Sequence, residues 1–365
     1  MASSRTSGRT VVGLDIEPGF VAAAQVRIGN PVTVERAAGT ALPPGVLRDG
    51  EVADVEALAK ALRELFREHK LGKRVRLGVA TQRIVVRTID LPPLEDQKQI
   101  HAAVRFQAQD HIPMPLAQAV LSHQPLGIVD TPDGPRTRVV LVAARRDVVE
   151  RFYAAARAAG LRPVGIDLSA FAMIRALYDG TPGATLYVSV GGMTNLALAE
   201  GTTCVFTRVV PGGVEALAGA LAERRGLTLD HARQWLTHVG LATPLEHVEG
   251  DPEIVEEARA VLVEGVRRIA EEVRNSLDFY RAQAGALAAE QAIVTGPAVA
   301  IRGFSQELGA ATGLPVTPGV VAEARAGGHG GIDPSRLAIA AGLAIEQAPA
   351  RTPVEPLHQP APEAA

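Results

Sequence analysis

Three short turns carry the residue types that can hold phosphate. The first follows the apolar run Thr10–Ile16, contains the acid Asp15 near its end, and turns at Glu17-Pro18-Gly19. The second is Ser189-Val190-Gly191-Gly192, with Gly212-Gly213 further along. The third is Gly296-Pro297, after the short apolar run Gln291–Thr295. Backbone N–H groups presented by a hairpin turn can bind phosphate oxygens. Glycine lets the backbone come close to a ligand, and an acid at a strand end can organise Mg²⁺ through water. Two such hairpins, one from each half of the chain, can clamp a triphosphate, and a glycine turn entering a helix can support adenine or ribose. Each piece alone has a plainer reading, as a turn aspartate or a tight Gly-Gly turn; their order and spacing give them weight.

Other polar residues read as structural. His329 in Gly327-Gly328-His329-Gly330-Gly331 belongs to a surface loop, with no second histidine or acid at metal-ligand spacing. His111 precedes Ile112-Pro113 and ends a helix. Trp235 lies in a helix and reads as core. Glu271 and Glu272 are helix neighbours that point in different directions, so they belong to a solvated face. The single cysteine, Cys204, excludes an intrachain disulfide and sits in the apolar strand Thr203–Phe206, as a buried structural thiol.

The elements that must position the turns follow from periodicity. Strands are expected at Thr10–Ile16, Phe20–Arg27 and Val32–Ala37 as an antiparallel meander. Asp54 caps a helix whose apolar face is Val55, Leu58, Leu62, Leu65 and Phe66. A β-α-β-β-α-β succession fills residues 84–167: strand 84–91, helix 95–111, strands 119–128 and 138–144, helix 147–159 ending at Gly160, and strand 163–168. A helix over 169–179 leads out of it. The opening pattern then returns at Leu186–Val190, Asn195–Glu200 and Thr203–Val210. Asp15-Ile16-Glu17 falls on Ser189-Val190-Gly191, which implies two similar halves. Beyond Gly213 the chain is largely helical, with its longest helix over Pro252–Ala284. A strand at Gln291–Thr295 follows, then helices near Ile301–Thr312 and Pro334–Glu346.

The 365 residues exceed one simple core. Only 4% are aromatic, so Ala, Val and Leu must fill the interior. A net charge of −3 without a basic run gives no reason to expect a nucleic-acid partner. No apolar stretch reaches the ~20 residues that span a bilayer. The polar start, Met1–Thr10, has no apolar signal core, and the Pro/Ala-rich 347–365 tail has no amphipathic pattern. Residues 1–9 and 347–365 are expected to be disordered.

Several stretches resemble the PilM family, the actin-like cytoplasmic proteins of type IV pilus assembly. They are Leu42–Gly50, His111-Ile-Pro-Met-Pro115, Val140–Ala144, Ala159-Gly-Leu-Arg-Pro163 and Glu272–Tyr280. The resemblance covers about Val11–Ile345. It implies a two-lobed α/β fold of the actin-like, ribonuclease H-like ATPase type. Lobe 1 (1A) would be 10–83 and 168–183, with subdomain 1C inserted at 84–167. Lobe 2 (2A) would be 184–213 and 290–346, with a helical subdomain 2B at 214–289. The resemblance further implies ATP and Mg²⁺ in the cleft between the lobes. The nucleotide site residues would be Asp15, Gly19, Gly191, Gly192, Thr194, Gly212, Gly213 and Gly296, with Asp15 organising the metal. It also implies that a groove beside 1C binds the N-terminal cytoplasmic tail of PilN, a bitopic membrane protein. The chain would then be cytoplasmic, peripheral at the inner face of the membrane through that partner, and linked to the pilus motor without inserting in the membrane itself. FtsA and the cytoplasmic part of GspL are similar too; the amphipathic tail of the one and the transmembrane helix of the other are missing.

The nucleotide motifs depart from the family pattern. Glu17 replaces the glycine of the first phosphate motif Asp-x-Gly. A carboxylate ~4 Å from a phosphate oxygen costs about 4 kcal/mol at an effective ε of ~20. Ser189 replaces the acid of the second motif. Pro297 replaces the second glycine of the adenosine motif and lacks an N–H. Ala232-Arg233-Gln234-Trp235-Leu236 stands where the family often shows Ala-Glu-x-x-Lys, and Asn275 where an Arg is common. Gly212, Gly213 and Thr194 survive. The expectation is a scaffold with weak or lost nucleotide binding and negligible hydrolysis. The alternative is a nucleotide-regulated ATPase of a pilus or type II secretion-like machine. A sugar kinase of the same fold would need a catalytic acid facing a sugar pocket, and no residue offers itself.

Overall fold

The computed structural model describes residues 11–28, 32–94, 96–283, 285–323 and 332–345, without the Gln97 side chain. The two expected disordered tails and the 327–331 loop lie outside the described residues. The chain divides into two compact units, one of residues 84–146 and the other of the flanking sequence up to 346.

In the larger unit, strands β1 (Val12–Glu17), β2 (Phe20–Arg27) and β3 (Thr33–Ala41) form the expected meander. A small hairpin of β4 (Leu47–Arg48) and β5 (Glu51–Val52) leads into α1 (Val55–Glu68). The Asp54 side chain accepts from Ala57 N–H and caps that helix. Leu58, Leu62, Leu65 and Phe66 form its buried face. Strand β6 (Arg74–Val79) then pairs in parallel with β1.

The smaller unit contains β7 (Val85–Leu91), α2 (Gln97–His111), β8 (Ala119–Thr131) and β9 (Gly134–Arg145). Its sheet runs β7-β9-β8, and one face buries Ile89, Leu91, Val139 and Leu141 with Ile100, Val104 and Ala108 of α2. Its helix ends at His111, as expected. The expected closing elements do not belong to it. Helix α3 (Arg146–Ala158) leads to β10 (Arg162–Leu168), which hydrogen-bonds to β6. A parallel strand adds to any compatible edge, and its local pattern does not say which.

Helix α4 (Ser169–Leu177) follows, then β11 (Ala184–Val190), β12 (Thr194–Glu200) and β13 (Thr203–Val210). All seven residues of β11 are buried, as for a strand covered on both faces. Helices α5 (Val214–Arg225), α6 (Leu229–Val239) and α7 (Pro252–Arg281) pack over this second sheet, and their stripe of Leu217, Leu221, Leu236, Leu262, Ile269 and Val273 fills its core. Strand β14 (Gln291–Thr295), helix α8 (Phe304–Thr312) and β15 (Val316–Pro318) complete the lobe.

Residues 322–345, expected in the second lobe, return to the first. Strand β16 (Ala322–Glu323) pairs with β3, and α9 (Ala338–Ala344) lies on β1, β2 and β6. The sheets are thus β10-β6-β1-β2-β3-β16 and β13-β12-β11-β14-β15. Between them lie α4 and α9, whose Met173, Ile339 and Leu343 share a core with Tyr187, Ala197 and Ala199. Two glycines bring the backbones into contact there. A Cβ on Gly13 would lie 1.8 Å from the Ala340 oxygen, and one on Gly342 1.8 Å from the Ala172 oxygen. Arg76 and Arg175 donate to the carbonyls of Gly342, Leu343 and Ile345 at the end of α9. Among the described residues no helix is long and apolar enough to cross a membrane.

Candidate functional site

The two hairpins expected to face each other do so, and their tips touch. The β1–β2 turn closes over the pair Glu17–Phe20, and the β11–β12 turn over the pair Val190–Thr194. A Cβ on Gly192 would lie 2.1 Å from the Pro18 oxygen. One on Gly191 would lie 2.1 Å from Glu17 Oε2, and one on Gly213 2.3 Å from the Gly191 oxygen. Gly19, at φ +85°, abuts Glu215 of α5. Gly191 and Gly192, expected to admit a phosphate, therefore admit the opposing turn, whereas Gly212 has nothing within 4 Å of its would-be Cβ.

Glu17 reaches across the contact. Its Oε2 accepts from the Gly192 N–H at 2.8 Å. Its Oε1 lies 3.7 Å from Arg336 Nη1, and Arg336 Nη2 lies 3.7 Å from Glu215 Oε1. The Arg336 guanidinium stacks on Phe20, 4.3 Å from the ring centroid. Arg233 donates to Glu215 from Nη2 at 2.6 Å and Nε at 2.9 Å, and also pairs with Asp230. Arg233, expected only as a lost nucleoside contact, is thus a counter-ion of the acid beside Gly19. The network alternates in charge, Glu17–Arg336–Glu215–Arg233, and ties β1 to α5 and α6.

Asp15 pairs with Ala22 in β1–β2 and lies deeper. It is 8% exposed, beside Gly78 and Ser169. Burial first, and then the charge of Glu17, push its pKa well above the usual carboxylate range; a hydrogen bond with Ser169 opposes them. Burial also raises Glu17, but Arg336 and the Gly192 N–H favour its ionised form. Asp15 is thus shifted upward chiefly by burial, while Glu17 is raised by burial against the opposing pull of Arg336 and the Gly192 N–H. Thr194 is fully buried and its hydroxyl donates to the Gly212 oxygen at 2.9 Å. Gly212 itself turns at φ +86°.

The third turn is also occupied. The Gly296 N–H donates to the Ser335 oxygen at 2.9 Å, and Pro297 has none to offer. Asp15, Glu17, Ser189, Gly296, Ser335 and Arg336 border a pocket of about 230 Å³. Ser335 Oγ and Arg336 Nη1 are buried there without a hydrogen-bond partner. A second pocket of about 250 Å³ lies where Thr194, Gly212 and Gly213 meet Arg268 and Glu272 of α7. Glu272 is half-buried at this pocket, whereas Glu271 pairs with Arg267 on the outer face.

The backbone donors expected to hold a phosphate at these turns are engaged within the protein. The Gly192 donor is taken by a carboxylate, the Gly296 donor by a carbonyl, and the hairpin tips leave no gap. Among the described residues no three His, Cys, Asp or Glu side chains converge as metal donors. Sequence reasoning missed Arg336 and Glu215. Glu215 had a signal, an acid in the first turn of a helix after Gly-Gly; Arg336 had none.

Cys204 and Trp235 take structural places. The Cys204 thiol is buried in β13, which pushes its pKa up to about 12. Trp235 packs partly buried against the second-lobe core and over Gly250.

Comparison with solved structures gives the same architecture. A chain of the PilM–PilN type IV pilus biogenesis complex superposes with a TM-score of 0.73 at 28% identity, over 92% of this chain and 98% of that one. The ethanolamine utilization protein EutJ from Carboxydothermus hydrogenoformans matches at a TM-score of 0.52 and 17% identity, over 92% of this chain and 89% of that one. MreB5 of Spiroplasma citri, bound to ADP, matches at 0.52 and 15%, over 92% and 95%. The last two share the fold alone, which is the actin-like one. The family description of the type IV pilus assembly protein PilM matches residues 13–347, and the chain belongs to that family.

Proposed function

We propose that this protein is a scaffold of type IV pilus assembly that holds the N-terminal cytoplasmic tail of a PilN-like single-span membrane protein and needs no ATP turnover. One observation carries the partner: the likeness extends over 98% of a chain from the PilM–PilN complex. The Glu17–Gly192 hydrogen bond supports the second half, because it fills the donor that a phosphate would require. Tethered through its partner, the protein works in the cytoplasm against the inner face of the membrane, in contact with pilus motor components. Its net charge of −3 fits protein partners better than nucleic acid.

The test is titration of a fluorescent peptide, copied from the partner's cytoplasmic tail, into the purified protein. Saturable binding that is unchanged by ATP and Mg²⁺ is expected. Absence of binding would overturn the partner assignment. Micromolar ATP binding by calorimetry would move the function to a nucleotide-regulated ATPase.

A further inference from the structure

We infer that Glu17 is a built-in ligand of the second hairpin: its carboxylate takes the place of an external anion at the Gly192 N–H and latches the two lobes together. The inference deepens the nucleotide-independent reading and rests on it. Four observations combine. The acceptor is an acid side chain from the other lobe, at 2.8 Å. The turns that carry the two groups are in backbone contact, so the bond closes a contact and does not bridge a gap. A cation, Arg336, stands between Glu17 and Glu215, as it would beside a phosphate. Finally, Ser335 Oγ and Arg336 Nη1 line the same pocket without a hydrogen-bond partner, Nη1 standing only within ion-pair distance, 3.7 Å, of Glu17 Oε1. A single carboxylate has two oxygens, and one of them is committed to Gly192; it cannot satisfy the donors that a larger anion would reach.

The latch makes closure a property of the chain. In a cleft closed by ligand, the closed population follows ligand concentration. Here the ligand is covalently attached, so closure does not follow the concentration of a free ligand. The neighbouring titratable and charged groups are Asp15, Glu215, Arg233 and Arg336.

The experiment compares the full chain with Glu17→Gly and Glu17→Gln. The first readout is hydrogen exchange at the 190–193 turn. The second is calorimetric binding of inorganic pyrophosphate. Exchange at least tenfold faster is expected in Glu17→Gly, which removes the acceptor, and a smaller rise above twofold in Glu17→Gln, whose amide oxygen still accepts but carries no charge. Pyrophosphate affinity at least tenfold above the wild type is expected for Glu17→Gly. Exchange within twofold of the wild type in both variants would overturn the inference. Accelerated exchange without any gain in pyrophosphate binding would also overturn it, since Glu17 would then close the turn without occupying an anion position. Glu17→Gln keeps the side chain's shape and guards against a glycine variant that fails to fold. Tail-peptide binding is scored separately: its loss in the wild type would sink the pilus function and leave the latch standing.

Discussion

Replacing Gly192 with alanine asks whether the hairpins truly meet. The new Cβ would lie 2.1 Å from the Pro18 oxygen and 2.9 Å from its nitrogen, both backbone atoms with no rotamer to escape through. A carbon–oxygen contact settles at about 3.3 Å or more, so the turns must part by roughly 1 Å. That separation stretches the 2.8 Å Glu17–Gly192 bond beyond hydrogen-bonding range. The lost charge-assisted bond is worth about 1.5–3 kcal/mol, and residual overpacking adds about 1–3 kcal/mol. A loss of about 2.5–6 kcal/mol is expected, read by urea unfolding with the slope compared between variants. Gly219→Ala is the control. That glycine lies within α5 with nothing within 4 Å of its would-be Cβ. Alanine there should stabilise by about 0.5–1 kcal/mol. If Gly192→Ala unfolds within about 0.5 kcal/mol of the wild type, the turns are not in contact and the reasoning fails.

Three further outcomes are expected. Arg336→Met leaves Glu17 and Glu215 buried beside one another without their shared cation, and should cost about 3 kcal/mol; adding Glu17→Gln should recover part of it, and an equal loss in the double variant would contradict the network. Asp15 has a folded pKa above its ordinary 3.8, so its contribution to stability is full below the unfolded value and is lost as pH rises through the folded one. Asp15→Asn should therefore gain on the wild type as pH climbs, and a pH-independent difference in unfolding midpoint would refute the assignment. The Cys204 thiol, 8% exposed and with its pKa pushed up to about 12, should resist a thiol reagent in the native protein and react on denaturation. Reaction at the rate of a free thiol would place it at the surface.

Much of the frame was legible because its signals are local. The period-2 runs around Asp15 and Ser189 give both meanders, and Asp54 with the Leu58, Leu62, Leu65 stripe gives α1. What escaped was the choice of partner. The strand Arg162–Leu168 has the same pattern whichever sheet it joins. Helix α9, expected as a helix near Pro334–Glu346 of the second lobe, is apolar all round through Ala338, Ile339, Ala340, Ala341 and Leu343, and nothing in that pattern says which sheet it packs on. At the site, the turns and their glycines were found, and the oddity of Glu17 with them. Its role was not readable, because the Gly192 amide lies 175 residues away and the Arg336 cation further still. Helical periodicity also assigned Glu272 to solvent with Glu271; only tertiary packing shows that it borders the Gly212–Gly213 turn.

The contacts of Gly13 and Gly342 with α9 and α4 bear on how the molecule carries load. Where main chain meets main chain, lateral sliding runs into hard-core repulsion, which rises steeply and ignores salt and pH. The α4–α9 layer therefore resists sliding between the two sheets at these contacts. Beside the start of α9 the hairpin tips are joined instead by charge, at Glu17, Arg336 and Glu215.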